Sequence, residues 1–200
     1  MAINRYLSSG VHVEDPPVAK LLFANTRLAW FWLVVRLYVG YEWLTAGYEK
    51  FENPAWMGNG SALLGFWKGA VAVPAPPARA AITYDWYRSF LQYLIDSNSA
   101  VWFSKVVVFG EMAIGLGLIV GAFVGVAAFF GALMNMNFML AGSASTNPIM
   151  FFLAVGLILA WKVAGYYGAD RVLLPLLNTP WHGVSFEITD EQPTARPIAA

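Results

Sequence analysis

Two ionisable residues stand inside one apolar stretch, Trp30 to Phe51 (WFWLVVRLYVGYEWLTAGYEKF): Arg36 and Glu42. A second apolar run, 101–121, holds Lys105 and Glu111, and a third, 124–141, holds Asn135 and Asn137. Ionisable groups at membrane depth are expensive, so they face a protein interior, pair with one another and mark working sites. A carboxylic acid in such a place suits proton delivery, and a guanidinium or an amide suits hydrogen bonding to a polar substrate atom. Counted along helices at about 1.5 Å per residue, Arg36 lies roughly 12 Å into its run, Glu111 roughly 15 Å and Asn135 roughly 16 Å. Equal depth predicts an inner Arg36–Glu111–Asn135 cluster near the midplane. Glu42 and Lys105 match near the opposite edge, which predicts an outer pair. Plainer readings stand beside these: a register-setting ion pair for Arg36 and Glu111, lysines that snorkel to the interface, and asparagines that join helices.

The elements that must position these groups follow from the apolar runs. Segments 28–50, 101–121, 124–141 and 148–167 are each apolar enough to read as a membrane-spanning helix, about 20 residues covering a core of about 30 Å. The fold class expected is all-α, an integral membrane four-helix bundle. Arg36, Gly40, Trp43, Gly47 and Lys50 share one stripe of the first helix, with Glu42 on another face. Gly117, Gly121 and Gly125 recur every four residues, a pattern that permits close helix approach. Between the first two spans lies a long connection, 51–100, read as an extracytoplasmic cap on one membrane face. In it, Leu63 to Val73 is apolar but too short to span, Pro74, Pro76 and Pro77 end that piece, and Ile82 to Asp96 reads as an amphipathic helix capped by Thr83. Asp85, Arg88, Ser89, Gln92 and Asp96 share its polar face, and Trp86, Phe90, Tyr93 and Leu94 the other. Trp56, Trp67, Trp86, Tyr87 and Trp102 fit an interfacial aromatic belt.

The flanks are different in kind. Residues 1–27 are mixed, with Pro16-Pro17 and no apolar core directly after Arg5, so they read as a cytoplasmic or interfacial segment rather than a signal peptide. Residues 179–200 form a polar tail. Four spans put both termini on one side, and Arg5, Lys20, Arg27, Lys162 and Arg171 place that side in the cytoplasm of a multi-pass protein of the cell membrane.

Composition closes off other classes. The 200 residues are 58% hydrophobic and 12% charged, with zero net charge, which gives nucleic acid no basic surface. There is no cysteine, and the two histidines, His12 and His182, lie outside every apolar run. No protein-ligated haem or iron–sulfur cluster is therefore expected, and no metal ligand set. The absence of an internal repeat weighs against a transporter.

Several short motifs occur together in a fixed order. The first span carries Arg36-Leu37-x-x-Gly40 and then Ala46-Gly47-x-x-Lys50-Phe51; the second carries Gly110-Glu111-x-x-x-Gly115-x-Gly117-Leu118-x-x-Gly121. The fourth ends Ala164-Gly165-Tyr166-Tyr167-Gly168-Ala169-Asp170-Arg171. In these the chain resembles the DoxX/DoxD family of small four-helix membrane proteins. Pro54-Ala55-Trp56, Tyr84-Asp85-Trp86-Tyr87, Asn135-Met136-Asn137-Phe138 and Asn147-Pro148 are similar to the DoxD branch, the membrane subunit of thiosulfate:quinone oxidoreductase. The resemblance covers about Leu28 to Trp181. It implies oxidation of thiosulfate, or a similar small sulfur compound, with electrons passed to a membrane quinone in the lipid bilayer. It also implies a second small subunit or another redox protein as partner. On that basis Glu111, Arg36 and Asn135 are the candidate catalytic residues, Glu111 delivering a proton and the other two hydrogen-bonding a quinone oxygen. Lys50 and Lys105, with Trp43, Trp102 and Glu42 nearby, are the candidate contacts for the anionic sulfur substrate. The alternative is a non-catalytic anchor or assembly subunit that docks a redox partner through the cap.

Overall fold

The computed structural model describes residues 15–177; the expectations for His12, His182 and the 179–200 tail fall outside the described residues. Among the described residues every regular element is a helix. In chain order they are α1 (Pro17–Ala24), a 3-10 turn (Thr26–Leu28), α2 (Ala29–Glu52), α3 (Pro54–Met57), α4 (Ser61–Val71), α5 (Asp85–Asp96), α6 (Ala100–Val120), α7 (Val124–Leu140), α8 (Asn147–Leu159), α9 (Trp161–Ala164) and α10 (Asp170–Leu176).

Local chemistry sets most boundaries. The Asn25 side chain accepts from the Arg27 N–H at 2.9 Å and turns the chain into α2. α2 stops at Asn53 because Pro54 follows; Asn53 then caps α3, its side chain accepting from the Ala55 N–H at 2.9 Å. Gly121 leaves α6 with φ +74°, a left-handed conformation that favours glycine, and the chain reverses within three residues into α7. In the cap, α5 starts one residue later than the Thr83 cap anticipates: Tyr84 holds the N-cap position and no side chain caps it.

Four helices, α2, α6, α7 and α8, make the body, each packed on the next and α8 closing on α2. α2 and α6 run antiparallel along the closest seam. Gly40 lies against Leu118, Gly47 against Met112 and Glu111, and a Cβ on Gly115 would fall 2.5 Å from the Leu44 nitrogen. Small residues let the backbones meet there. The Gly117/Gly121/Gly125 repeat is not one seam: Gly121 makes the turn, Gly117 faces Ala122 and Ala127, and Gly125 faces Trp161. The body's core gathers Trp32, Val39, Trp43, Leu118, Ala128 and Leu157. A second core lies under the cap, where α4 and α5 bury Leu63, Trp67, Tyr87, Leu91 and Leu94 against Ala100 and Ala141.

Three sequence expectations change. The fourth helix ends at Leu159 rather than near Tyr167; the chain bends at Ala160, and Trp161 seats against Gly125. The amphipathic helix buries Tyr87, Leu91 and Leu94, while Trp86, Phe90 and Tyr93 point outward. Trp67 is a core residue and not part of an outer belt. By length and composition α6 can cross a membrane; the pair formed by α1 and 26–52, bent by 55°, is a second candidate if taken as one span. α7 and α8 are shorter apolar helices.

Candidate functional site

The ion pair inside the body joins Lys50 to Glu111. Lys50 Nζ donates to Glu111 Oε2 at 2.8 Å; the carboxylate side chain is 1% exposed and the lysine 21%. Lys50 sits in the last turn of α2, where its Nζ also donates to the Ala46 carbonyl at 3.3 Å. The Trp56 ring of α3 stands 5.4 Å from the same nitrogen, within range of a cation–π contact. Trp56 is fixed in turn by Ser104 of α6, whose hydroxyl donates to the Trp56 carbonyl at 2.9 Å. The short helix after α2 is thus folded back to cover its last lysine, and the pair lies at the cap end of the body.

Two further polar groups are buried at nearby levels without partners. The Trp43 indole N–H and the Asn135 amide nitrogen are both inaccessible and form no hydrogen bond. Trp43 lies against Gly131 of α7, one turn before Asn135. Met134 faces Gly110, which puts Asn135 within about a turn of Glu111 along the bundle. Buried donors are normally satisfied, and each exception needs an explanation. Here two N–H donors and an ammonium–carboxylate pair share the cap half of the interior.

Arg36 is elsewhere. Its guanidinium is 1% exposed and lies against Gly121 and Gly168, at the end of the body opposite the cap. Its Nη2 donates to the Tyr167 carbonyl at 3.0 Å. Asp170 attracts it across the same joint, while the Asp170 carboxylate accepts from the N–H groups of Phe123 at 2.6 Å and Val124 at 2.9 Å. Backbone bonds from Ala169 to Val120 and from Asp170 to Gly121 close the joint. Arg36 ties the α6–α7 turn to the chain after α9.

The expected Arg36–Glu111–Asn135 cluster is therefore not formed. Gly47, not Arg36, is level with Glu111, and the eleven residues between Arg36 and Gly47 span roughly 16 Å of helix. The equal-depth count fails because α2 overhangs α6 at the end opposite the cap: Arg36 is already level with the α6–α7 turn at Gly121, and the first turns of α2 continue beyond it. The same offset separates Glu42 from Lys105; no ion pair joins them, and both are half-buried. Of the expected substrate contacts, Lys50 and Trp43 lie in the interior, while Trp102 is 55% exposed.

Asp170 and the Trp56 cover were not anticipated as parts of a site. Asp170 had a weak signal: an acid two residues after Gly168, just past the last apolar run.

A cavity of about 840 Å³ lies between α6 and α7 and runs beneath α4 and α5. Its walls are apolar, from Leu63, Phe103 and Phe138 at the cap end to Val120 and Phe123 at the far end. At the cap end the Tyr87 hydroxyl donates to the Asn137 carbonyl at 2.9 Å and meets the Asn137 side-chain oxygen at 3.3 Å. Burial pushes the Tyr87 hydroxyl up to about 12, so it stays a neutral donor at ordinary pH. Among the described residues no group of three His, Cys, Asp or Glu side chains gathers to hold a metal. The chain matches no family model, no curated protein and no solved structure.

Proposed function

We propose that the chain is a multi-pass integral membrane protein and the membrane subunit of a quinone-linked oxidoreductase that oxidises thiosulfate or a similar small sulfur anion, as in the DoxX/DoxD family. Both termini are cytoplasmic and the cap is extracytoplasmic. Phe109, Leu116, Phe129, Phe130 and Phe152 all point outward, which suits a lipid surrounding. α2, α6, α7 and α8 are the spans, α9 continuing the last beyond its bend.

The observation that carries the catalytic reading is the Lys50–Glu111 pair, a buried carboxylate held by a lysine that still reaches the cap side. Two thiosulfate dianions lose one electron each and join through a new S–S bond as tetrathionate. The two electrons, with two protons, convert a quinone to its quinol. Lys50 supplies the positive charge that draws the dianion in. An anion that takes over the ammonium leaves Glu111 unpaired in an apolar interior, where the neutral acid is the form tolerated. The proton that Glu111 then takes up is one it can pass to the reduced quinone. The free N–H groups of Trp43 and Asn135 are donors for an anionic or carbonyl oxygen at that level. Arg36 holds the far joint rather than the reacting atoms.

The test is thiosulfate-dependent quinone reduction by membranes containing the chain, alone and with a second small subunit. Lys50→Gln and Glu111→Gln, at unchanged protein level, are expected to lower turnover at least about 100-fold, the scale of a lost general acid. No activity in any combination, with the chain folded and inserted, overturns the reading.

A second reading, a non-catalytic anchor, is favoured by the cap alone: Trp86, Phe90 and Tyr93 of α5 are exposed and available to a partner. It predicts that the same two variants lower protein level and leave any complex's rate per molecule unchanged.

A further inference from the structure

The cavity between α6 and α7 has a shape and a chemistry that narrow its occupant. Along α6 its lining runs from Phe103 to Val120, roughly 25 Å of helix, so it is long and narrow rather than round. Its volume of about 840 Å³ lies within the usual range for small-molecule sites. Several lining residues, among them Val106, Leu116, Val126 and Phe130, are also exposed at the surface, so the cavity opens sideways along the body. A ligand can enter from the bilayer without passing through water.

The lining contains no Lys, Arg, His, Asp or Glu. The hydrogen-bonding pair at its cap end, Tyr87 and Asn137, is neutral. A phosphate or ammonium headgroup finds no counter-charge in such a site, and burying it unpaired is costly. A molecule with a long apolar chain and a small uncharged head that accepts and donates hydrogen bonds fits both ends.

The position is also informative. Asn135 and Asn137 lie two residues apart on α7, on opposite sides of the helix: one is buried in the body, the other lines the cavity. Gly110, next to Glu111, leaves a gap in the cavity wall whose nearest filler is the Met134 sulfur, 3.7 Å from where a Cβ would stand. Ile114 belongs to the cavity wall and to the core around Trp43. The cap end of the cavity is therefore one layer of side chains from the Lys50–Glu111 level.

We propose that this cavity binds a prenylated quinone, its isoprenoid chain laid along α6 and α7 and its ring at the Tyr87–Asn137 end. The aromatic walls grip the chain; a quinone carbonyl accepts from the Tyr87 phenol, and the quinol, once formed, donates to the Asn137 amide oxygen. This rests on the quinone-linked reading above and gives it a place. It moves the quinone from the interior, where Arg36 and Asn135 were expected to meet it, to the other side of α7.

The experiment uses the full chain in phosphatidylcholine nanodiscs. Trp67 lines the cavity, so its fluorescence reports on a bound quinone. A benzoquinone carrying a decyl or short prenyl chain is titrated against the same benzoquinone without a chain. Saturable quenching by the tailed quinone, at least about tenfold tighter than by the tailless one, is expected. Ala113→Phe, at an exposed position on the cavity wall, is expected to weaken it at least about tenfold with the melting temperature unchanged. Asn137→Leu is expected to weaken binding while leaving the benefit of the tail.

Equal quenching by tailed and tailless quinones overturns the proposal. So does quenching that never saturates, unchanged binding in Ala113→Phe, or a cavity-bound phospholipid that the tailed quinone does not displace. The two readings fail separately. Tight, cavity-dependent quinone binding without thiosulfate turnover removes the sulfur chemistry and keeps the cavity assignment. Thiosulfate turnover that Ala113→Phe does not touch removes the cavity assignment and keeps the chemistry.

Discussion

Removing Lys50 leaves the Glu111 carboxylate, 1% exposed, without the only cation bonded to it among the described residues. Breaking a buried pair by deleting one partner is destabilising by about 3–5 kcal/mol, because the other charge remains in an apolar site. Lys50→Met is expected to fall in that range. For a chain of this length that is a loss of roughly 6–20 °C in melting temperature. Glu111→Gln is expected to be milder, about 1.5–3 kcal/mol, the scale of a hydrogen bond to a charged group. The reason is geometric: Lys50 is 21% exposed, keeps the Ala46 carbonyl and the Trp56 ring, and can turn toward water. The double change Lys50→Met/Glu111→Leu is expected within about 1 kcal/mol of the parent, since an apolar pair replaces a buried ionic one at little net change. Thermal unfolding of the purified chain in one detergent, followed by circular dichroism, measures all of these. A cycle closed with the Glu111→Leu single should give a coupling of at least about 2 kcal/mol for Lys50 with Glu111, because the double change costs far less than Lys50→Met alone. The matching cycle for Arg36 with Glu111 should give no more than about 0.5 kcal/mol, since those residues sit at different levels and share no partner. Coupling found between Arg36 and Glu111, and absent between Lys50 and Glu111, would refute the register described here.

Gly115→Ala is expected to destabilise by about 1–3 kcal/mol, because its Cβ meets the Leu44 backbone and the α2–α6 seam must open. Gly65→Ala in α4, with nothing within 4 Å of the new carbon, should instead stabilise by about 0.5–1 kcal/mol; the same melting assay checks both. Asp170→Ala strands the Phe123 and Val124 N–H groups and should lose about 1–3 kcal/mol for each, with Asp170→Asn losing less. Asn135→Leu removes a buried donor that has no partner, so stability should hold or rise. If turnover of an active preparation falls at the same time, the amide meets substrate; if turnover and stability both hold, Asn135 is outside the chemistry.

The elements were legible in the sequence because their signals are local. Asn25, Asn53-Pro54, Gly121 and Asn147-Pro148 mark helix ends through their own backbone preferences. Apolar runs of the right length gave α2, α6 and α7 to within about two residues at each end. The end of the fourth helix was not legible: Ala160, where the helix breaks, is neither glycine nor proline, and Trp161 packs on Gly125 just beyond it.

The chemistry-bearing residues were legible as well, and their partners were not. Lys50 lies on the same stripe of α2 as Arg36, so either cation could reach Glu111 from periodicity alone. The choice is made by axial offset, which depends on how closely Gly40, Gly47 and Gly115 let two backbones approach and on how far the start of α2 runs past the α6–α7 turn. Asp170 finds Phe123 and Val124 only because two distant turns meet at Gly121 and Gly168. By itself the sequence determined which helices form and which buried groups must be paired, since propensity, capping and the cost of an isolated charge are properties of short stretches. Only the tertiary structure decided which charge meets which, and that a neutral cavity lies along α6 and α7, because register and the spacing between helices are set by contacts between residues far apart in the chain.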